Sequence, residues 1–218
     1  MLQPIPKKPV GEKTTLHLEP IHFPEHQLPI PFSEQIGDPN VLEDDRNPLE
    51  PRDTNRGRVI MFIDGANLFY AASQMGIEID YAKLLRYFRH NSQLAYAFFY
   101  TGVDPTNSRQ QAFLTWMRRN GYRVVTKDVV HNAAGTKRAS SMNVEIAVDM
   151  VRMASSCDTE VVISGDGDLS YAVNAVSYLG ARVEVFALRS MTSDQLIHVA
   201  NNYIDLATLR EEIQKAPR

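Results

Sequence analysis

The sequence predicts an α/β protein of three-layer α/β/α architecture, in which helices cover both faces of a parallel, Rossmann-like sheet of about five strands. From residue 58 onwards, short apolar runs alternate with segments of helical length, which is typical of a parallel sheet with crossover helices. The runs are apolar at nearly every position, as in strands that are buried on both faces. Gly121 and Gly180 each stand between a predicted helix and the next strand, where glycine commonly ends a helix.

The predicted strands are RVIMFID (58–64), LAYAFFYT (94–101), RVVTK (123–127), EVVIS (160–164) and RVEVFA (182–187). The segments between and after them predict helices over 80–90, 107–120, 141–156, 168–179, 193–201 and 205–215. Asn67 is expected to open a further helix directly after the first strand.

Residues 1–57 differ in composition from the domain predicted over 58–218. They hold ten of the twelve prolines, which remove backbone donors and favour extended neighbours. We therefore expect an irregular N-terminal arm. The run HLEPIHFPEHQLPIPF is rich in apolar and aromatic residues, so the arm is a candidate contact for a protein partner.

Charge and composition restrict the class of protein. The net charge is −3, but residues 58–218 carry seventeen Lys or Arg against sixteen Asp or Glu, which permits a polyanionic partner. No apolar run reaches the roughly 18 residues of a membrane span, so no membrane contact is expected. The N-terminus has no secretory h-region and Cys157 is the single cysteine, which together favour the cytoplasm. Association of identical chains stays open.

Acidic residues follow two of the predicted strands. Asp64 ends the first strand, and Ser164 is followed by Asp166 and Asp168 at the end of the fourth. Ligands of open parallel sheets bind beyond the carboxyl ends of the strands, so these side chains are expected in one cleft. The alternative is that SGDGD is only a turn.

The helix predicted over 141–156 contributes a polar stripe formed by Glu145, Asp149 and Arg152. This stripe is either a solvated surface or the border of the same cleft. The cleft is favoured because the rest of the helix is apolar. Glu145 and Asp149 are also a like-charge pair that costs about 0.2–0.5 kcal/mol unless a cation relieves it.

Four converging carboxylates need a cation. The predicted catalytic and metal-binding residues are Asp64, Asp149, Asp166 and Asp168. Two carboxylates about 5 Å apart repel by roughly 3 kcal/mol at an effective dielectric near 20. Ligation by oxygen alone points to Mg²⁺ or Mn²⁺, which activates water and stabilises charge on a phosphodiester.

Three ordered motifs carry a resemblance to a known family: FIDGANLF (62–69), NVEIAVDM (143–150) and SGDGDL (164–169). With the ending NYIDL (202–206), the chain resembles the NYN domains of the LabA-like branch of the PIN superfamily over roughly residues 58–210. The resemblance implies a PIN-like sheet and a Mg²⁺- or Mn²⁺-dependent endoribonuclease acting on single-stranded RNA.

The chain departs from that family at Asn143, where aspartate is usual, and at Asn201. Asparagine keeps an oxygen ligand but brings no charge, so metal affinity should fall. The alternative function is therefore a catalytically weakened RNA-binding or regulatory module, of the kind that acts in circadian or transcriptional output. The predicted supporting residues are Asn67, Asn143, Glu145 and Ser164.

Two other classes fit poorly. A haloacid-dehalogenase-like phosphatase needs an acid where this chain has Ala66, and in a nucleotide-binding fold Asp64 would repel the phosphate.

Cationic residues in the middle of the chain are candidate RNA contacts. Arg109, Lys127, Lys137 and Arg138 are predicted to bind RNA, and Tyr100 and Tyr122 are candidate stacking faces. The segment 128–142 is expected to be a flexible polar loop near the site.

Overall fold

The structure, a computed structural model, describes residues 56–90, 92–128, 130–131, 137–138 and 141–216, with only the backbone of 130–131 and 137–138. The predicted arm therefore lies almost wholly outside the described residues, and the division at residue 57 stays a prediction. Arg56 already belongs to the folded part. Its Nε donates to Glu184 at 2.7 Å, and its guanidinium lies 5.8 Å from the centroids of the Phe88 and Phe186 rings.

Eight strands and seven α-helices occur in the part of the chain that is described. The strands are β1 (Arg58–Asp64), β2 (Gln93–Val103), β3 (Arg123–Asp128), β4 (Val130–His131), β5 (Lys137–Arg138), β6 (Thr159–Ile163), β7 (Arg182–Ala187) and β8 (Asn202–Asp205). The helices are α1 (Gly65–Met75), α2 (Tyr81–His90), α3 (Ser108–Arg119), α4 (Asn143–Met153), α5 (Ser170–Tyr178), α6 (Asp194–Val199) and α7 (Arg210–Ile213).

Six strands form one parallel sheet in the order β3-β2-β1-β6-β7-β8, which confirms the predicted fold class. The chain moves outward from β1 in one direction as far as β3 and then returns to the other side with β6. The strand order thus reverses between β1 and β6, where open α/β sheets bind ligands. The sequence prediction missed β8, because this edge strand has only four residues and two of them are the polar Asn202 and Asp205.

Apolar layers lie on both faces of the sheet. On one face, Met61 and Ile63 of β1 pack with Leu68 of α1, Leu84 of α2 and Leu114 of α3. On the other face, Ile60 and Phe62 pack with Ile146 of α4 and Val173 of α5. Alternate residues of β1 thus enter opposite cores, which explains the continuous apolar runs of the central strands.

The apolar residues of helix α4 are less buried than the sequence indicated. Ile146 and Met150 are buried, whereas Val144, Val148 and Val151 are 70%, 51% and 42% exposed. The valine face therefore lies at the surface, and its apolar character does not place the neighbouring polar stripe against a cleft.

Short antiparallel strands β4 and β5 occur in the segment that was expected to be an irregular loop. No helix among the described residues is long and apolar enough to cross a membrane.

Candidate functional site

A groove of about 290 Å³ lies where the carboxyl ends of β1, β2 and β6 meet. The parallel register pairs Ile63 with Ile163 and Asp64 with Tyr100, so the residues that follow these positions are neighbours in space. The groove is lined by polar residues from these strand ends and from the first turns of α1 and α4, among them Asp64, Asn67, Tyr70, Tyr100, Asn143 and Asp166.

Asp64 ends β1 and caps α1. Its Oδ1 accepts hydrogen bonds from the backbone N–H groups of Ala66 at 3.0 Å and Asn67 at 3.1 Å. Burial raises the pKa of the Asp64 carboxyl; the backbone bonds to Asn67 and Ala66 and the Ser164 hydroxyl oppose that effect, and the nearby Asp166 adds to it. A partly buried carboxylate is thus fixed at the strand tip beside a second acid.

Asp166 is the second carboxylate of the groove. Its Oδ1 accepts from the backbone N–H of Asp168 at 3.0 Å, and its Oδ2 accepts from Nδ2 of Asn143 at 2.8 Å. Ser164 connects the two acids, because its hydroxyl donates to Oδ2 of Asp64 at 3.4 Å and accepts from the Asp166 N–H at 3.2 Å. Ser164 is 1% exposed, so this connection is shielded from water.

Asn67 holds the two strand ends together. Its Oδ1 accepts the N–H of Gly165 at 3.1 Å, which joins the first turn of α1 to the loop after β6. The Gly165 carbonyl accepts from Ser193 at 3.0 Å, and a Cβ at position 165 would collide with the backbone carbonyl of Met191. The backbone that presents Asp166 is therefore fixed from both sides, and glycine is required there.

Asn143 lies at the site and is not the helix cap. Met142 occupies the N-cap position of α4 without a side-chain cap bond, and the Asn143 N–H donates to the Ser141 hydroxyl at 3.2 Å. The Asn143 side chain is 9% exposed and contacts Asp166. An aspartate at this position would place a carboxylate where the structure has a hydrogen-bond donor.

Asp149 and Asp168 are not among the residues that line the groove. Oδ2 of Asp149 accepts from the Tyr100 hydroxyl at 2.9 Å, and its Oδ1 accepts from Arg152 at 3.3 Å. Asp168 lies in a 3-10 turn with its side chain exposed. Among the described residues, the acids that line the groove are Asp64 and Asp166, and no group of three His, Cys, Asp or Glu is arranged to hold a metal. A role of Asp149 or Asp168 as ligand stays a prediction.

The charges of the polar stripe on α4 are met by protein cations. Nζ of Lys127 lies 2.8 Å from Oε1 of Glu145, and this hydrogen bond lowers the pKa of the glutamate. Asp149 is paired with Arg152 on the same helix. The like-charge pair of Glu145 and Asp149 therefore gives no reason to invoke a metal ion.

The candidate RNA contacts fall into three groups. Arg109 is exposed on α3, and Lys127 is 44% exposed but engaged by Glu145. Lys137 and Arg138 form β5, and their side chains lie outside the described residues.

Tyr100 and Tyr122 are not stacking faces. They are 0% and 3% exposed, and their hydroxyls donate to Asp149 and to the Tyr81 carbonyl. The prediction was wrong because both side chains belong to the cores on either side of the sheet.

The sequence analysis missed two exposed aromatic side chains on α1. Phe69 and Tyr70 are 64% and 60% exposed, although aromatic residues after a buried strand usually belong to the core. Helical periodicity is the signal that could have found them: Leu68, Ala71 and Ala72 form the buried face of α1, which leaves positions 69 and 70 outside it.

Asp64 and Asp166 fit a hard divalent cation. Mg²⁺ in proteins is commonly bound by one or two carboxylates, several waters and substrate phosphates, and it does not need a full protein cage. The polar side chains that line the groove offer oxygen ligands and no His or Cys among the described residues, which favours Mg²⁺ or Mn²⁺ over zinc. Burial raises the pKa of Asp64 and the nearby Asp166 adds to that effect, and a cation in the groove would relieve both costs.

Two sequence comparisons indicate the family of this chain, and a structural comparison indicates its fold. A profile of the NYN domain matches residues 58–207. The chain is 32% identical over 169 residues to the low amplitude and bright protein LabA of Synechococcus elongatus, which covers 74% of this chain and 90% of that protein. Its fold is similar to that of a protein of unknown function from Vibrio parahaemolyticus RIMD 2210633, with a TM-score of 0.62 and 21% identity over 76% of this chain and 99% of that one.

Proposed function

We propose that this chain, which belongs to the NYN domain family, is a Mg²⁺- or Mn²⁺-dependent endoribonuclease that acts on single-stranded RNA. The family is a branch of the nuclease-like PIN superfamily, whose nucleases generally depend on divalent metals. Membership thus supports a role in nucleic-acid chemistry, and the metal requirement and the RNA substrate are our proposal.

The observation that supports this proposal most strongly is the pairing of Asp64 and Asp166 through Ser164 at the point where the strand order reverses. Here two acids line one groove, and the pKa of Asp64 is raised, as burial and a neighbouring acid require. Such pairs are common at functional sites.

Asp64 and Asp166 would hold the ion, which when bound supplies an activated water and stabilises the charge that develops on the phosphodiester. The other residues of the site orient these two acids. Backbone donors of α1 fix the Asp64 carboxylate, and Asn67 holds the Gly165 loop that carries Asp166. Asn143 donates a hydrogen bond to Oδ2 of Asp166 and so fixes the orientation of that carboxylate.

The second candidate function, an RNA-binding or regulatory module with a weakened site, is supported by Asn143. Its amide occupies one oxygen of Asp166 and replaces a charge that the family usually supplies. Each lost negative ligand lowers affinity for a hard cation. The two functions therefore differ in whether the site, as it stands, turns over RNA.

Cleavage of an end-labelled, unstructured RNA by the full-length chain with Mn²⁺ distinguishes them. We expect slow cleavage by the wild type, loss of at least two orders of magnitude in Asp166→Asn and in Asp64→Asn, and no change in Glu212→Gln. Glu212 is an exposed acid on α7, so its variant removes the same charge outside the groove. Intact RNA after long incubation with the wild type at high concentration would refute the nuclease and favour the regulatory module. Equal cleavage by wild type and Asp166→Asn would reveal a contaminating nuclease.

A further inference from the structure

A second cavity, of about 250 Å³, adjoins the acidic groove. We call it the aromatic pocket; it is lined by Phe69, Tyr70, Tyr81, Phe99, Phe113 and Gln110, among others. Tyr70 and Thr101 line both cavities, so the pocket and the groove meet at these residues.

The pocket differs in chemistry from the groove beside it. The described residues that line it carry no charged side chain, and five of them are aromatic. Its inner wall is a set of packed rings, with the Tyr81 centroid 5.7 Å from Phe99 and 5.3 Å from Phe113. Phe99 is 3% exposed, so this wall is rigid core and not mobile surface.

The outer wall is exposed. Phe69 and Tyr70 are 64% and 60% exposed, and their rings meet edge to face with centroids 5.6 Å apart. Adjacent exposed aromatic residues at the mouth of a cavity mark binding surfaces, because their apolar faces gain from being covered. Tyr70 follows Asn67 by three residues on α1, so the two side chains are about one helical turn apart. Asn67 fixes the Gly165 loop that carries Asp166, which places Tyr70 close to the acidic groove.

Gln110 supplies an oriented polar group at the rim. Its Nε2 donates to the Gly102 carbonyl at 2.9 Å, and its Oε1 accepts from the Asp104 N–H at 2.9 Å. A primary amide has two N–H donors and two acceptor lone pairs, so these contacts use only part of its capacity. An amide held in one orientation beside aromatic walls is suited to the polar edge of a planar ring.

We infer that the aromatic pocket binds one nucleobase of the strand whose phosphodiester lies at Asp64 and Asp166. This inference rests on the proposed function. A nucleobase is neutral, planar and polar at its edge, which matches an uncharged pocket with ring walls and an oriented amide. The cavity is smaller than the range of about 300–1,000 Å³ that is usual for larger ligands, which fits a single ring system.

Stacking on aromatic rings would add affinity for RNA to a domain whose positive and negative side chains are nearly balanced over residues 58–218. Stacking of one base typically strengthens binding by about 5- to 150-fold and depends little on the identity of the base. The acidic groove itself repels phosphate in the absence of a cation, so base binding would provide affinity that the groove lacks.

The test measures equilibrium binding with catalysis abolished. The full-length chain carrying Asp64→Asn and Asp166→Asn is titrated in EDTA against a fluorescein-labelled uridine 12-mer and against an abasic 12-mer with the same number of phosphates. We expect at least fivefold tighter binding of the strand with bases. Adding Tyr70→Ala should remove that difference without weakening binding of the abasic strand, whereas Tyr70→Phe should retain it.

Tyr171→Ala is the matched control, because Tyr171 is 85% exposed on α5 outside both cavities. Thermal melting of each variant confirms that it is folded, and Phe69→Ala provides a second test at the same wall. Equal affinity for the two strands, or an unchanged difference in both Tyr70→Ala and Phe69→Ala, would overturn the inference. Base-dependent binding without cleavage by the wild type would refute the proposed nuclease and support the base-binding role of the aromatic pocket.

Discussion

Asn143→Asp is the substitution whose effect the structure determines most closely. It replaces the 2.8 Å hydrogen bond between Asn143 and Asp166 with two facing carboxylates. At about 4 Å and an effective dielectric near 20, their repulsion is roughly 4 kcal/mol. Protonating one carboxyl relieves it, and raising a pKa from about 4 to 7 also costs roughly 4 kcal/mol, so about 4 kcal/mol is the upper limit at neutral pH.

We therefore expect the metal-free variant to be less stable than the wild type by about 1–4 kcal/mol at pH 8, which corresponds to roughly 2–4 °C in Tm for each kcal/mol. The stability deficit of the variant depends on pH, because its folded state has a raised carboxyl pKa and binds more protons than its unfolded state. The deficit should consequently shrink as the pH falls towards about 5. Mn²⁺ should reverse the order, because a third charge at the groove strengthens cation binding by at least about tenfold.

Thermal melting at pH 5 and pH 8, with EDTA and with Mn²⁺, measures these differences. Asn143→Ala is the control, because it removes the hydrogen bond without adding charge. It should show neither the added pH dependence nor a larger stabilisation by Mn²⁺ than the wild type shows. If Asn143→Asp melts like the wild type in EDTA at pH 8 and Mn²⁺ stabilises both equally, residue 143 does not face Asp166, and the assignment of the site is wrong.

Three further predictions concern other parts of the molecule. Glu160 is fully buried, its carboxyl oxygens have no hydrogen-bond partner among the described residues, and burial raises its pKa to about 8. The pKa of Glu160 is higher in the folded than in the unfolded state, so the wild type should lose stability relative to Glu160→Gln as the pH rises from about 5 to 8. Urea titrations of both proteins measure this difference, and parallel pH profiles would contradict it. Tyr100→Phe removes the bond to Asp149, which is 23% exposed, and should cost about 1–2 kcal/mol in the same assay, whereas an unchanged midpoint would show that the bond contributes nothing. Limited proteolysis should yield a stable core that begins between residues 50 and 56, because Arg56 contacts Glu184 in the folded part. A soluble, folded 55–218 fragment should express, and an insoluble fragment would show that the arm is part of the fold.

The parallel sheet and the meeting of Asp64 with Asp166 could be predicted because both follow from local pattern. Apolar runs define the strands, and the carboxyl ends of parallel strands share one edge. The position of Asp149 could not be predicted in this way. Its spacing along α4 follows from the helical period, but the hydrogen bond that its carboxylate accepts from Tyr100 depends on how the helix lies against the sheet.

The aromatic residues show the same limit. Tyr100 and Phe69 are both aromatic residues close to a predicted strand end, yet one is fully buried and the other is 64% exposed. Composition does not distinguish them, whereas helical periodicity identifies Phe69 as exposed, because Leu68, Ala71 and Ala72 form the buried face of α1. Asn143 is the converse case. Asparagine is a favourable helix cap, but Asn143 lies one position inside α4 and its side chain donates to Asp166.

The central claim is that Asp64 and Asp166 hold a divalent ion that enables RNA cleavage. The most direct measurement is the initial rate of cleavage of single-stranded RNA against Mn²⁺ concentration, compared with the Mn²⁺ dependence of Tm for the same protein. We expect both curves to saturate over the same range in the wild type, and both responses to be absent in Asp64→Asn and in Asp166→Asn while Glu212→Gln behaves as the wild type does. A Mn²⁺-induced rise in Tm that persists in both aspartate variants, or cleavage that does not depend on Mn²⁺, would contradict the claim.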